Sequence, residues 1–154
     1  MDPLSITASV VGLTATCVQT AKALNALKQK FVKAKLTIGA ICTEATVISA
    51  SLSQLQSSML RDQEGFGNKV NERPELESAL DTALTGCLIV FDVLQDEIRK
   101  LSLSSDDATD QLRMTSKAKY LWNESTMQDL LRQLRGLEAA LTLLLQLLTT
   151  SVVS

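Results

Sequence analysis

Near the end of the chain six leucines, Leu130, Leu134, Leu137, Leu141, Leu144 and Leu148, recur at alternating spacings of four and three residues. That alternation keeps all six on one line of an α-helix, whereas a strand would scatter them over both faces. A helix with a single leucine seam is not stable alone in water. It needs other helices to cover the seam.

Three further blocks can supply that cover. The first has Asp2 placed as N-cap and Pro3 as first helical residue, where a missing N–H costs nothing, and runs to about 28–30. The second, over about 32–60, carries Leu36, Ile38, Ile41, Ala45, Val47, Ile48, Leu52, Leu55 and Met59. A break is expected at "RDQEGFGNKVNERP", where Gly65, Gly67, Asn68 and Asn71 are turn formers. Pro74 restarts a helix that runs to about 101, with Glu75 and Glu77 in its first turn. Its expected core face is Leu76, Leu80, Ala83, Leu84, Cys87, Leu88, Phe91, Leu94 and Ile98. A polar connection over 102–110 and a short helical piece over 112–122 follow. The last helix is expected to start at Ser125, which has capping-box spacing to Gln128. Only 6 Gly and 2 Pro interrupt the chain. The expected fold is therefore all-α: an elongated four-helix bundle with an additional short helix, in one domain over 1–154. The uncharged ending "LLLQLLTTSVVS" is read as the edge of a domain belonging to a longer protein.

Several chemistries are excluded by residue type. The chain has no histidine, so it offers no His-based triad and no His-ligated metal site. Its three cysteines, Cys17, Cys42 and Cys87, are far apart in apolar helical contexts, as expected of reduced core thiols in a cytosolic protein. No cofactor or metal is expected. "GFGNK" follows no strand and reads as a turn, not as a phosphate loop. "DDATD" (106–110) lacks the glycine and closing glutamate of a calcium loop. The net charge of −2 and a total of three Phe, one Tyr and one Trp give neither the basic field nor the stacking platform of a nucleic-acid binder. We therefore expect no enzyme and no nucleic-acid partner.

The charge is unevenly spread. Residues 1–60 set five lysines against Asp2 and Glu44, a net +3, while 61–110 carry −7 and 111–154 carry +2. More unusual is the opening, "MDPLSITASVVGLTATCVQTAK": positions 3–21 hold no charge at all. On a helical wheel Leu4, Ala8, Val11, Ala15 and Val18 form one apolar stripe, and Ile6, Val10, Leu13 and Cys17 the next. Ser5, Ser9, Gly12, Thr16, Gln19 and Thr20 lie opposite. As a helix this segment is about 28 Å long, close to the roughly 30 Å of a bilayer's hydrocarbon core. Seven Ser, Thr or Gln in nineteen positions make it too polar for a constitutive transmembrane span. Ser, Thr, Gly and Ala are nevertheless the residues that let membrane helices approach closely. Two readings stand side by side: a core helix whose small-residue face a neighbour covers, or a helix released from the bundle into a membrane.

The opening "MDPLSITASVVGLTATCVQTAKAL" resembles the start of the fungal HeLo-like domains, the N-terminal domains of fungal STAND proteins. "KYLWNESTMQDLLRQLRGLEAALTLLLQLL" (119–148) is similar to the end of those domains, with a Trp ahead of a helix and a leucine-rich finish. The resemblance spans essentially the whole chain and implies a helical bundle at the N-terminus of a NOD-like receptor or of an amyloid-controlled protein. It further implies a membrane-permeabilising, pore-forming execution domain of programmed cell death, of the heterokaryon-incompatibility and innate-immunity type, activated by oligomerisation. Such a domain is cytoplasmic at rest and moves to the plasma membrane on activation. The implied partners are anionic membrane lipids, further copies of the chain, and a receptor or amyloid-motif partner acting through a C-terminal region. Leu4, Ile6, Val10, Val11, Gly12 and Leu13 would then insert, and Lys22, Lys28, Lys30, Lys33 and Lys35 would meet anionic headgroups at about 1 kcal/mol each. The alternative is a non-lytic adaptor or oligomerisation domain of a NOD-like receptor.

Overall fold

A computed structural model describes residues 3–30, 35–105 and 123–150, with side chains placed over 9–29, 36–101 and 123–148. Among the described residues every regular element is an α-helix: α1 (Pro3–Lys30), α2 (Lys35–Arg61), α3 (Gln63–Glu72), α4 (Pro74–Ser105) and α5 (Glu124–Thr150). The chain is all-α, as the leucine seam requires.

Two boundaries differ from those read in the sequence. The stretch expected to be a turn is α3. Asp62 caps it: its carboxylate accepts the Gly65 N–H at 2.9 Å and its carbonyl accepts the Phe66 N–H at 3.0 Å. A Cβ on Gly65 would collide with the Asp62 carboxylate, so glycine lets the cap close rather than the chain turn. Phe66 and Val70, one helical turn apart, then bury against the core. Across the molecule, the Lys69 ammonium donates to the Leu148 carbonyl at 3.1 Å, satisfying one of the open carbonyls of the last turn of α5. The second difference is at the start of α5. The cap is Asn123, not Ser125: its side chain accepts the Thr126 N–H at 3.2 Å and its carbonyl the Met127 N–H at 3.0 Å. Pro74 does open α4, with the Arg73 carbonyl accepting from Leu76 and Glu77. α4 continues to Ser105 and absorbs the first part of the expected connection; the rest of that connection and the expected short helix over 112–122 lie outside the described residues.

Side-chain contacts fix how the helices run. Cys42 lies against the Ala21 carbonyl, and Lys28 reaches the position of a Gly39 Cβ, so α1 and α2 are antiparallel. Thr37 bonds Glu124 and Glu44 faces Arg135, so α2 and α5 are parallel. α3 holds the start of α4 near the end of α5, which makes α4 and α5 antiparallel. The four long helices thus form two hairpins, α1–α2 and α4–α5, side by side. α1 packs on α2 and α4, and α5 packs on α2 and α4. The most extensive of these interfaces is α1–α2.

The core between them is aliphatic. Val10, Leu13, Cys17, Leu24 and Leu27 enter it from α1, and Ile38, Ile41, Ala45, Ile48, Leu52, Leu55 and Met59 from α2. Leu80, Cys87, Phe91 and Leu94 of α4 and Leu130, Leu134, Leu141, Leu144 and Leu148 of α5 complete it. Each fully buried large side chain contributes about 1.5–3 kcal/mol relative to exposure. Leu137, the remaining member of the seam, is half-buried over Gly86, where a Cβ would lie 3.0 Å from its Cδ2. Leu88, expected in the core, is exposed: Leu84, Cys87 and Phe91 fill the arc of α4 that its neighbours cover. Burial pushes the Cys87 thiol up to about 11.

Two measurements check this arrangement. Asp62→Ala removes the cap of α3 and should cost about 1 kcal/mol of stability in chemical denaturation. Cys87, neutral and buried at pH 8, should stay unlabelled by iodoacetamide in the folded protein and label fully once the chain is denatured.

Candidate functional site

α1 and α2 differ from the rest of the molecule in charge. Over their described side chains the charged residues are Lys22 and Lys28 on α1 and Glu44 and Arg61 on α2. The outer faces of α4 and α5, by contrast, carry ion pairs: Arg99 and Lys100 with Asp96, Lys100 with Glu97, and Arg132 with Asp129. Those exposed pairs are worth little singly, but they keep the surface wet.

The two apolar stripes of α1 have opposite fates. Val10, Leu13, Cys17, Leu24 and Leu27 are in the core, and Thr20 joins them because its hydroxyl donates to the Thr16 carbonyl at 2.8 Å. The neighbouring stripe faces water: Val11 is 43% and Val18 37% exposed, with Ala15 exposed between them. Gly12 is exposed too, and nothing lies within 4 Å of where its Cβ would be. No neighbour covers the small-residue face at this position. On α2 the exposed stripe is Thr43, Thr46, Ala50, Ser53 and Ser57, with Val47 beside it. The antiparallel register sets Val18 level with Thr46 and Val11 level with Ser53.

Several threonine hydroxyls of these two helices bond to their own backbone. Thr14 donates to the Val10 carbonyl at 2.6 Å, Thr16 to Gly12 at 3.1 Å, Thr43 to Gly39 at 2.9 Å and Thr46 to Cys42 at 2.8 Å. Bonding back four residues removes the need for water at each donor, which lowers the cost of taking such a face out of water.

The insertion residues read from the sequence are therefore split. Val10 and Leu13 are core at rest; Val11 and Gly12 are surface. Leu4 and Ile6 fall within α1, but their side chains lie outside the described residues. Among the candidate lipid contacts Lys22 is exposed and Lys28 half-buried beside Gly39. Lys33 and the side chains of Lys30 and Lys35 lie outside the described residues.

Two features were missed in the sequence. Leu36–Arg61 is long and apolar enough to cross a membrane, by length and composition, with Glu44 as its lone charge before Arg61. And polar contacts accompany the apolar packing of α2 on α5. The Thr37 hydroxyl donates to Glu124 Oε1 at 2.6 Å, and the Gln128 amide donates to the same oxygen at 2.9 Å. Further along, Glu44 Oε1 lies 3.7 Å from Arg135 Nε while its Oε2 is buried with no hydrogen-bond partner. A lone acid in an otherwise uncharged 25-residue run was the available signal. Among the described residues no three His, Cys, Asp or Glu side chains group as metal ligands.

Compared with models of known families, with curated proteins and with solved structures, the chain matches none of them.

The split in α1 has a direct test in thermal and chemical melts. Leu13→Ala should cost about 2–5 kcal/mol, whereas Val11→Ser should change stability by no more than about 0.5 kcal/mol.

Proposed function

We propose that this chain is a membrane-permeabilising cell-death execution domain of the HeLo-like type, a four-helix bundle that acts on anionic membranes after self-association. The observation that carries the reading is the outer face of α1 and α2, charge-free over 9–21 and 45–60, with Thr14, Thr16, Thr43 and Thr46 donating to their own helices. Water gains little from such a face, and both a lipid phase and a neighbouring helix accept it. The two-hairpin arrangement of four long helices and the resemblance of the opening and closing segments to HeLo-like domains support the same reading.

At rest α1 is a structural helix, with Val10, Leu13 and Cys17 fully or almost fully buried. Permeabilisation on this reading requires a rearrangement that frees them, which fits a domain that stays inert until clustered. The fully packed α1 equally favours a second reading, a non-lytic oligomerisation module in which Val11, Ala15 and Val18 meet another copy.

Leakage of calcein from phosphatidylcholine–phosphatidylserine vesicles separates the two. The proposed function predicts release by the parent chain at micromolar concentration, much weaker release from pure phosphatidylcholine, and loss of release in Val11→Asp that still folds by circular dichroism. Stable oligomers in light scattering with no release from either vesicle would favour the adaptor.

A further inference from the structure

We infer that the lipid-entering unit is the α1–α2 hairpin as a whole, not α1 alone, and that Glu44 is the charge that holds this hairpin on α5. The inference rests on the membrane reading above and specifies which part of the molecule moves.

Consider first what α1 would leave behind if it departed alone. It would give up its most extensive interface and bare Ile38, Ile41, Ala45 and Ile48 of α2 to water. A hairpin that departs intact keeps that interface and carries it into the lipid. One polar contact between α1 and α2 is weak, the Cys42 thiol donating to the Ala21 carbonyl at 3.6 Å. It needs no water and no charge, so it survives transfer.

The seam that must open carries polar contacts as well as apolar ones. α2 is held on α5 by Thr37 with Glu124 and Gln128, and by Glu44 with Arg135. Water can replace these polar contacts when they part, while the apolar inner faces of α4 and α5, Phe91 and Leu134 among them, lose their cover. Glu44 is the lone acid among the described side chains of α1 and α2, and the cation it faces, Arg135, lies on α5. An unpaired carboxylate is among the costliest groups to place in lipid. Its resting site is also imperfect, since Oε2 is buried without a partner. Glu44 therefore sets how readily the hairpin leaves, through the mismatch between a weakly satisfied site at rest and a forbidding one in lipid. The far end of α2 provides the hinge: Arg61 and Asp62 lead into α3, which stays anchored through Lys69 on the end of α5.

Reducible cross-links decide which unit moves. One variant, Ala21→Cys with the native Cys42, is bridged by a bismaleimide containing a disulfide and ties α1 to α2. A second, Glu44→Cys with Arg135→Cys in a Cys42→Ala background, is bridged in the same way and ties α2 to α5. Both are assayed with calcein-loaded phosphatidylcholine–phosphatidylserine vesicles, with circular dichroism to confirm the fold. The inference predicts that the α1–α2 bridge leaves leakage intact, whereas the α2–α5 bridge abolishes it until the bridge is reduced. It also predicts faster leakage for Glu44→Gln than for the parent. The reverse pattern, leakage blocked by the α1–α2 bridge and spared by the α2–α5 bridge, would overturn the hairpin while leaving the membrane reading intact. No leakage from the unbridged parent would overturn both.

Discussion

The contact between α1 and α2 is made almost without charge, and the rest of the structure is arranged around that fact. Two long helices that carry so few ionised groups cannot both face water along their whole length. They bury one side each in the common core, through Leu13, Cys17, Leu24 and Leu27 and through Ile38, Ile41, Ile48 and Leu52. Their remaining exposed stripes are mostly valine, alanine, serine and threonine, with Lys22 the exposed lysine among the described side chains of α1. Solubility is then supplied elsewhere: α4 and α5 carry the surface ion pairs, and the start of α4 is acidic, with Glu75, Glu77 and Asp81. The division of labour between a sparsely charged hairpin and an ion-paired one is the molecule's main asymmetry.

Polar contacts mark where the two hairpins meet. Thr37, Glu124 and Gln128 form a small network at one end of the α2–α5 seam, and Glu44 and Arg135 form a longer, less satisfied pair further along. A half-buried ion pair at 3.7 Å with an orphaned oxygen is weak evidence of added stability. A pair of that kind is better understood as setting register and ease of separation. α3 closes the other end, with the Lys69 ammonium on the last turn of α5.

Helix type was legible because its signal is periodic. The alternating leucines of α5 and the Pro74 start of α4 are local, and nothing in the tertiary structure opposes them. α3 was misread because Gly65 and Gly67 are turn formers by propensity. The deciding facts were the Asp62 cap, closed on the Gly65 N–H, and the burial of Phe66 and Val70. The uncharged character of α1 was visible in the sequence, but its two adjacent apolar stripes were not separable there. A wheel assigns angles, and only the positions of α2 and α4 decide that Val10 and Leu13 go in while Val11 and Val18 stay out. The same limit hid the exposure of Leu88. Glu44 was readable as a lone acid, but its partner Arg135 is far away in sequence, and no spacing rule links them.

Hydrogen–deuterium exchange with and without anionic vesicles addresses the central claim most directly, since it reports every helix in one experiment. The account predicts that peptides from α1 and α2 change exchange together when phosphatidylserine-containing vesicles are added. Peptides from the inner faces of α4 and α5, stripped of their cover, should exchange faster. Unchanged exchange in α2 while α1 responds alone, or no change in any helix, would contradict it.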